Sequence, residues 1–82
     1  MEPANFPQSN ATFGPPKGLT EAEVRSIKAW RGKDSEGIPV VITCWKPTKA
    51  EFEKIKQTGR VWLHVYGEGM QPVIVTGQDP FE

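Results

Sequence analysis

The sequence predicts a small α+β domain of ββαββ order, an antiparallel sheet with one helix on one face, preceded by a proline-rich extended arm. Three observations carry this. One segment, Thr48 to Gly59, has both ends of a helix written into it. Two pairs of β-rich runs each flank a glycine-bearing turn. The first 18 residues hold Pro3, Pro7, Pro15 and Pro16, and proline at that density removes backbone donors and fixes φ. The expected division is therefore an arm over 1–18 and one domain over 19–82.

Phe6 and Phe13 are costly in a solvated tail, so part of the arm is expected to pack on the domain or on a neighbouring subunit. After the arm, Thr20 and Glu23 fit a capping box. The residues that follow favour a turn or short helix there, then a strand from about Val24 to Arg31, with a helix through Trp30 as the rival reading. The polar, glycine-bearing segment from Gly32 to Gly37 reads as a hairpin loop. A second strand follows from about Pro39 to Trp45, and Pro47 biases Lys46 toward extended backbone and helps to end it.

KPTKAEFEKIKQTG is the clearest element. Thr48 sits at the N-cap, Glu51 at the third helical position, Phe52 and Ile55 share a face, and Gly59 stands just past the end. Glu51 near the start and Lys54 and Lys56 near the end suit the helix dipole. RVWLHVY then reads as a third strand, GEGMQ as a turn and PVIVT as a fourth strand, before the tail GQDPFE.

The third strand raises the functional question. Val61, Leu63 and Val65 alternate with Trp62, His64 and Tyr66, and one short helix covers only part of one sheet face. The aliphatic set is expected beneath Phe52 and Ile55. The aromatic set would then face outward, where several such side chains make the apolar patch of a contact surface. The arm folds over it, with Phe6 and Phe13 completing a second core, or another copy of the chain meets it, or both at once if the arm is swapped between subunits; Trp30 and Trp45 join whichever face their register assigns.

A domain of 82 residues buries a smaller share of its surface than a larger one and gains from outside support. With one cysteine, Cys44, and one histidine, His64, neither an internal disulfide nor a Cys/His zinc cluster within one chain is open to it, which leaves self-association. Ten basic residues balance ten acidic ones, so no net field draws the chain to a nucleic-acid polymer or an anionic membrane, although a local basic patch is not excluded. No apolar run approaches membrane-spanning length and MEPANFPQSN lacks the features of a secretion signal, so a cytoplasmic protein with reduced Cys44 is expected.

Catalytic chemistry finds little footing. Cys44 lies between Thr43 and Trp45 in an apolar strand, where a cysteine usually serves as a small buried filler. Asp34 and Glu36 fall in a loop, and Glu51 and Glu53 are explained by the helix. No hydrolase, kinase or metalloenzyme signature is present, so no catalytic residue, metal ligand or cofactor is expected. GEGMQP lacks the lysine and spacing of a phosphate loop. Lys46, Pro47 and Thr48 precede a helix N-terminus, a weak anion-binding feature. His64 between Trp62 and Tyr66 combines π-faces with an adjustable donor or acceptor, a set suited to flat heterocycles.

The strings NFPQSN (Asn5 to Asn10), CWKPT (Cys44 to Thr48), TGRVWLHV (Thr58 to Val65) and QPVIV (Gln71 to Val75) resemble a diffuse set of very small bacteriophage and prophage proteins, most without an assigned activity. The likeness spans most of the chain except about Lys17 to Gly37. It implies a non-enzymatic protein in the cytoplasm of a bacterial host that binds either a host protein or a nucleotide signal of antiphage immunity. Joined to the aromatic face, it suggests a homo-oligomeric sponge with a pocket between subunits. Trp62, His64 and Tyr66 would hold the base, with Trp45, Lys46 and Arg60 in support. A module that inhibits a host protein, or a minor phage structural or assembly component, is the alternative.

Overall fold

In the computed structural model, which describes residues 1–14, 18 and 26–82, the chain is an α+β protein of four antiparallel strands and one helix. The strands are β1 (Glu2–Ala4), β2 (Ala11–Phe13), β3 (Ile27–Lys33) and β4 (Pro39–Lys46), and the helix is α1 (Lys49–Thr58). They form one sheet in the order β1-β4-β3-β2.

The β3–β4 hairpin is the centre of the sheet. Its register pairs Ala29 with Thr43, Trp30 with Ile42, Arg31 with Val41, Gly32 with Val40 and Lys33 with Pro39. The turn explains that register. Asp34 accepts through Oδ1 from the backbone N–H groups of Glu36 and Ile38, both at 2.9 Å. Asp34 N–H donates to the Ile38 carbonyl at 2.9 Å and Gly37 N–H to the Asp34 carbonyl at 3.0 Å. Gly37 has φ 80°, the left-handed residue that a three-residue hairpin loop of this kind requires.

Alternation then sorts the side chains. Ala29, Arg31, Val41, Thr43 and Trp45 lie on one face, and Trp45 Nε1 donates to Thr43 Oγ1 at 2.8 Å along it. Trp30, Gly32, Val40, Ile42 and Cys44 lie on the other. Trp30 folds its indole across Gly32, where any Cβ would overlap the ring.

The N-terminal residues build both edges rather than a detached arm. β1 pairs with β4 from Glu2↔Lys46 to Ala4↔Cys44, and β2 pairs with β3 from Ala11↔Ala29 to Phe13↔Ile27. Asn10 extends the second pairing with its side chain. Its Oδ1 accepts from Arg31 N–H at 2.7 Å and its Nδ2 donates to the Arg31 carbonyl at 3.0 Å, so one amide substitutes for a strand residue. Phe6 stacks on Phe81, with ring centroids 6.1 Å apart. Pro15 and Pro16, and the expected turn at Thr20 to Glu23, lie outside the described residues.

The expected helix is present with the expected caps. Thr48 Oγ1 accepts from Glu51 N–H at 3.2 Å, and Glu51 Oε1 accepts from Thr48 N–H at 2.9 Å. Gly59, at φ 67°, ends it by donating to the Ile55 carbonyl at 2.7 Å. The amino group of Met1 donates to Glu51 Oε2 at 2.7 Å, which ties the start of β1 to the first helical turn.

Three expectations need correction. Arg60–Tyr66 and Pro72–Thr76 are not strands, so the order is ββββα in place of ββαββ; the central hairpin draws its partners from the N-terminal residues. α1 does not cover the sheet: no Cα of the helix comes within 8 Å of a strand Cα, and Phe52, Val61, Leu63 and Val65 are all exposed. Cys44 is exposed and not a buried filler.

Two outcomes follow. Gly32→Ala must displace the Trp30 ring, and is expected to cost on the order of 1 kcal/mol in denaturant unfolding and to change the near-ultraviolet dichroism of the indole; an unchanged spectrum would refute the contact. Glu51 titrates at about 2 against an ordinary 4.5, chiefly because the Met1 amino group and then the Thr48 N–H hydrogen-bond its ionised form. A carboxyl with a lowered folded pKa stabilises the fold above its unfolded value and loses that effect as pH falls toward the folded one. Wild type should therefore lose stability between about pH 4.5 and 2 more steeply than Glu51→Gln, as measured by urea unfolding across that range.

Candidate functional site

Two places among the described residues carry aromatic side chains that could serve binding. The first is a hollow of about 450 Å³ lined by Trp30, Lys33, Asp34, Ser35, Val40, Ile42, Ile74, Pro80 and Phe81. Gly32 lets Trp30 lie flat on the sheet, and Phe81 meets that indole edge-on at 5.6 Å and 79°. The same Phe81 ring also stacks with Phe6. The three rings fasten the C-terminal tail and the N-terminal loop to the hairpin, and edge-to-face pairs of this kind contribute about 0.5–1.5 kcal/mol each beyond their buried area. Lys33 supplies a cation at the rim, while Asp34 is engaged by the turn.

The second is the run from Arg60 to Tyr66. Trp62 is 76% exposed and Tyr66 95%, and His64 between them is exposed as well. Arg60 is exposed, with its N–H donating to Thr58 Oγ1 at 3.2 Å. Among the described residues no ring contact joins Trp62 and Tyr66, so a single chain does not assemble them into a closed pocket. Trp45 and Lys46 sit together at the end of β4 but on opposite faces, with Lys46 paired in register with Glu2. Of the six residues singled out by the sequence, Arg60, Trp62, His64 and Tyr66 lie in the run after α1, and Trp45 and Lys46 at the end of β4.

The Trp30, Lys33 and Phe81 hollow is absent from the sequence-based set. A signal for it does exist: a tryptophan followed two residues later by glycine on a strand places the ring over the missing side chain. The role of Phe81 has no local signal, because it depends on where the tail returns.

No group of three or more His, Cys, Asp or Glu among the described residues is arranged to hold a metal ion. No helix among them is long and apolar enough to cross a membrane. The fold and site define a small antiparallel α+β protein with a surface aromatic run. No protein-family model matches the chain, and no curated protein or solved structure matches it either.

If the three-ring cluster fastens the tail, Phe81→Ala should shift the Trp30 indole resonance and speed amide exchange over Asp79–Glu82. Unaltered exchange in both regions would show that the cluster does not hold it.

Proposed function

We propose that the chain is a phage-encoded counter-defence protein without catalytic activity, a homo-oligomeric sponge that sequesters a nucleotide-type immune signal in the host cytoplasm. The observation that carries this reading is the exposed row Trp62, His64 and Tyr66, a set of π-faces around an adjustable hydrogen-bonding group. Base stacking on an aromatic side chain contributes about 1–3 kcal/mol per base. A pocket between copies would close the row over the base, with Trp45 in support and Lys46 and Arg60 neutralising the phosphates.

The second reading is a module that inhibits a host protein through the same surface. It draws on the uncharged outer edge of β4, since edge pairing is a recurrent mode of protein recognition.

Calorimetric titration with cyclic dinucleotides and cyclic ADP-ribose derivatives is expected to give tight binding to at least one, with the ligand recovered intact on denaturation. Trp62→Ala should weaken it by roughly 5-fold to 150-fold if a base stacks there. Absence of both heat and thermal shift with every member of the panel would contradict sequestration. Recovery of a converted ligand would point to an enzyme, and a stoichiometric host partner in a pulldown would favour the inhibitor.

A further inference from the structure

From Val61 to Thr76 no main-chain hydrogen bond to a described residue is made. Yet RVWLHVY is composed almost wholly of residues that suit strands, in strict alternation, and PVIVT follows the same pattern beyond a glycine turn. A segment with the composition of a strand and no strand partner among the described residues is half of a pairing.

The other half lies on β4. β1 meets the outer edge of β4 only from Cys44 to Lys46. Among the described residues, Pro39 to Thr43 of that edge therefore has no neighbouring strand, although the inner edge is paired with β3 throughout. Natural sheets blunt open edges with charges, bulges or internal prolines. Val40, Val41, Ile42 and Thr43 carry none of these. The opposite edge of the sheet, on β3, is by contrast covered by β2 and then by the Asn10 amide.

The topology argues that the incoming strand comes from another molecule. Ten helical residues advance only about 15 Å, whereas the eight residues of β4 span roughly 26 Å. The chain leaves β4 at its C-terminal end, where β1 already occupies the edge. To place its own Val61–Tyr66 beside Pro39–Thr43, it would have either to return past β1, which holds the near end of that edge, or to lay α1 across the sheet as a parallel crossover. α1 stands clear of every strand, with its first turn held by Met1.

We propose that two copies of this chain exchange the segment Val61–Tyr66, each adding it as a strand to the free Pro39–Thr43 edge of the other. This deepens the sponge reading, since the aromatic row would be completed by the partner's sheet. Burying Trp62 and Tyr66 in both copies removes roughly 600–1,000 Å² from water. With Val61, Leu63 and Val65, each about half exposed in the single chain, the total approaches the lower end of the standard interface size, about 1,200 Å². An exchange of identical segments closes on itself and leaves neither of these edges open.

The test combines mass with contact. Wild type and Leu63→Pro are compared by multi-angle light scattering, and a mixture of differently isotope-labelled wild-type chains is analysed by isotope-filtered NOE spectroscopy. The expected result is a dimer or an even-numbered multiple for wild type and a monomer for Leu63→Pro, with NOEs from residues 40–43 of one chain to residues 61–66 of another. A monomeric wild type, an assembly unchanged in Leu63→Pro, or NOEs only within one chain would each overturn the exchange. The NOE arm uses wild type alone and stands even if the variant does not fold. A nucleotide titration in parallel separates the two ideas. Exchange without any nucleotide heat leaves this inference intact and removes the sponge, whereas nucleotide binding by an assembly that survives Leu63→Pro does the reverse.

Discussion

The structure depends on the turn that joins β3 to β4. Asp34 bonds two following N–H groups through one carboxylate oxygen, Gly37 takes the left-handed conformation, and the register of the central pair follows. That register sets Trp30 two residues before a glycine on the same face, so the indole lies flat and gives Phe81, and through it Phe6, something to pack on. It also presents two edges that β1 and β2 occupy. Without the hairpin neither three-residue strand has a template, since isolated strand pairs of that length are marginal in water.

The cost of building outward from one hairpin is a shortage of interior. Ala29 is the one fully buried apolar residue among those described. A folded chain holds a narrow margin over the conformational entropy it gives up, and that margin comes mainly from apolar burial. Here the apolar surface available for burial sits at Trp62, Tyr66 and Ile74, all more than 70% exposed. Stability is therefore linked to coverage: whatever covers this segment strengthens the fold.

The legibility of the fold in the sequence follows the range of the interactions. The helix could be read in full because its signals are local: Thr48, Glu51 and Gly59 act within one turn of where they stand. The central hairpin was equally accessible, since Asp34 and Gly37 fix a turn between β-rich runs. The N-terminal strands were missed because Glu2–Ala4 and Ala11–Phe13 are too short for alternation to show, and what makes them strands is the open edge of β3 and β4. The reverse error occurred at Arg60–Tyr66, where strong strand composition meets no strand partner among the described residues. The alternation of Trp62, His64 and Tyr66 could be read from spacing, and all three are exposed, but where the segment lies relative to the sheet depends on tertiary placement that spacing alone does not carry.

The central claim is that this chain is incomplete alone and that the Val61–Tyr66 segment supplies what its fold lacks by pairing with another copy. Amide hydrogen exchange over residues 61–66, followed from low micromolar to submillimolar protein, tests it most directly. The account predicts slow exchange that strengthens with concentration, together with protection of the Val40–Thr43 edge. Exchange at unstructured-chain rates throughout that range, or protection indifferent to concentration, would contradict it.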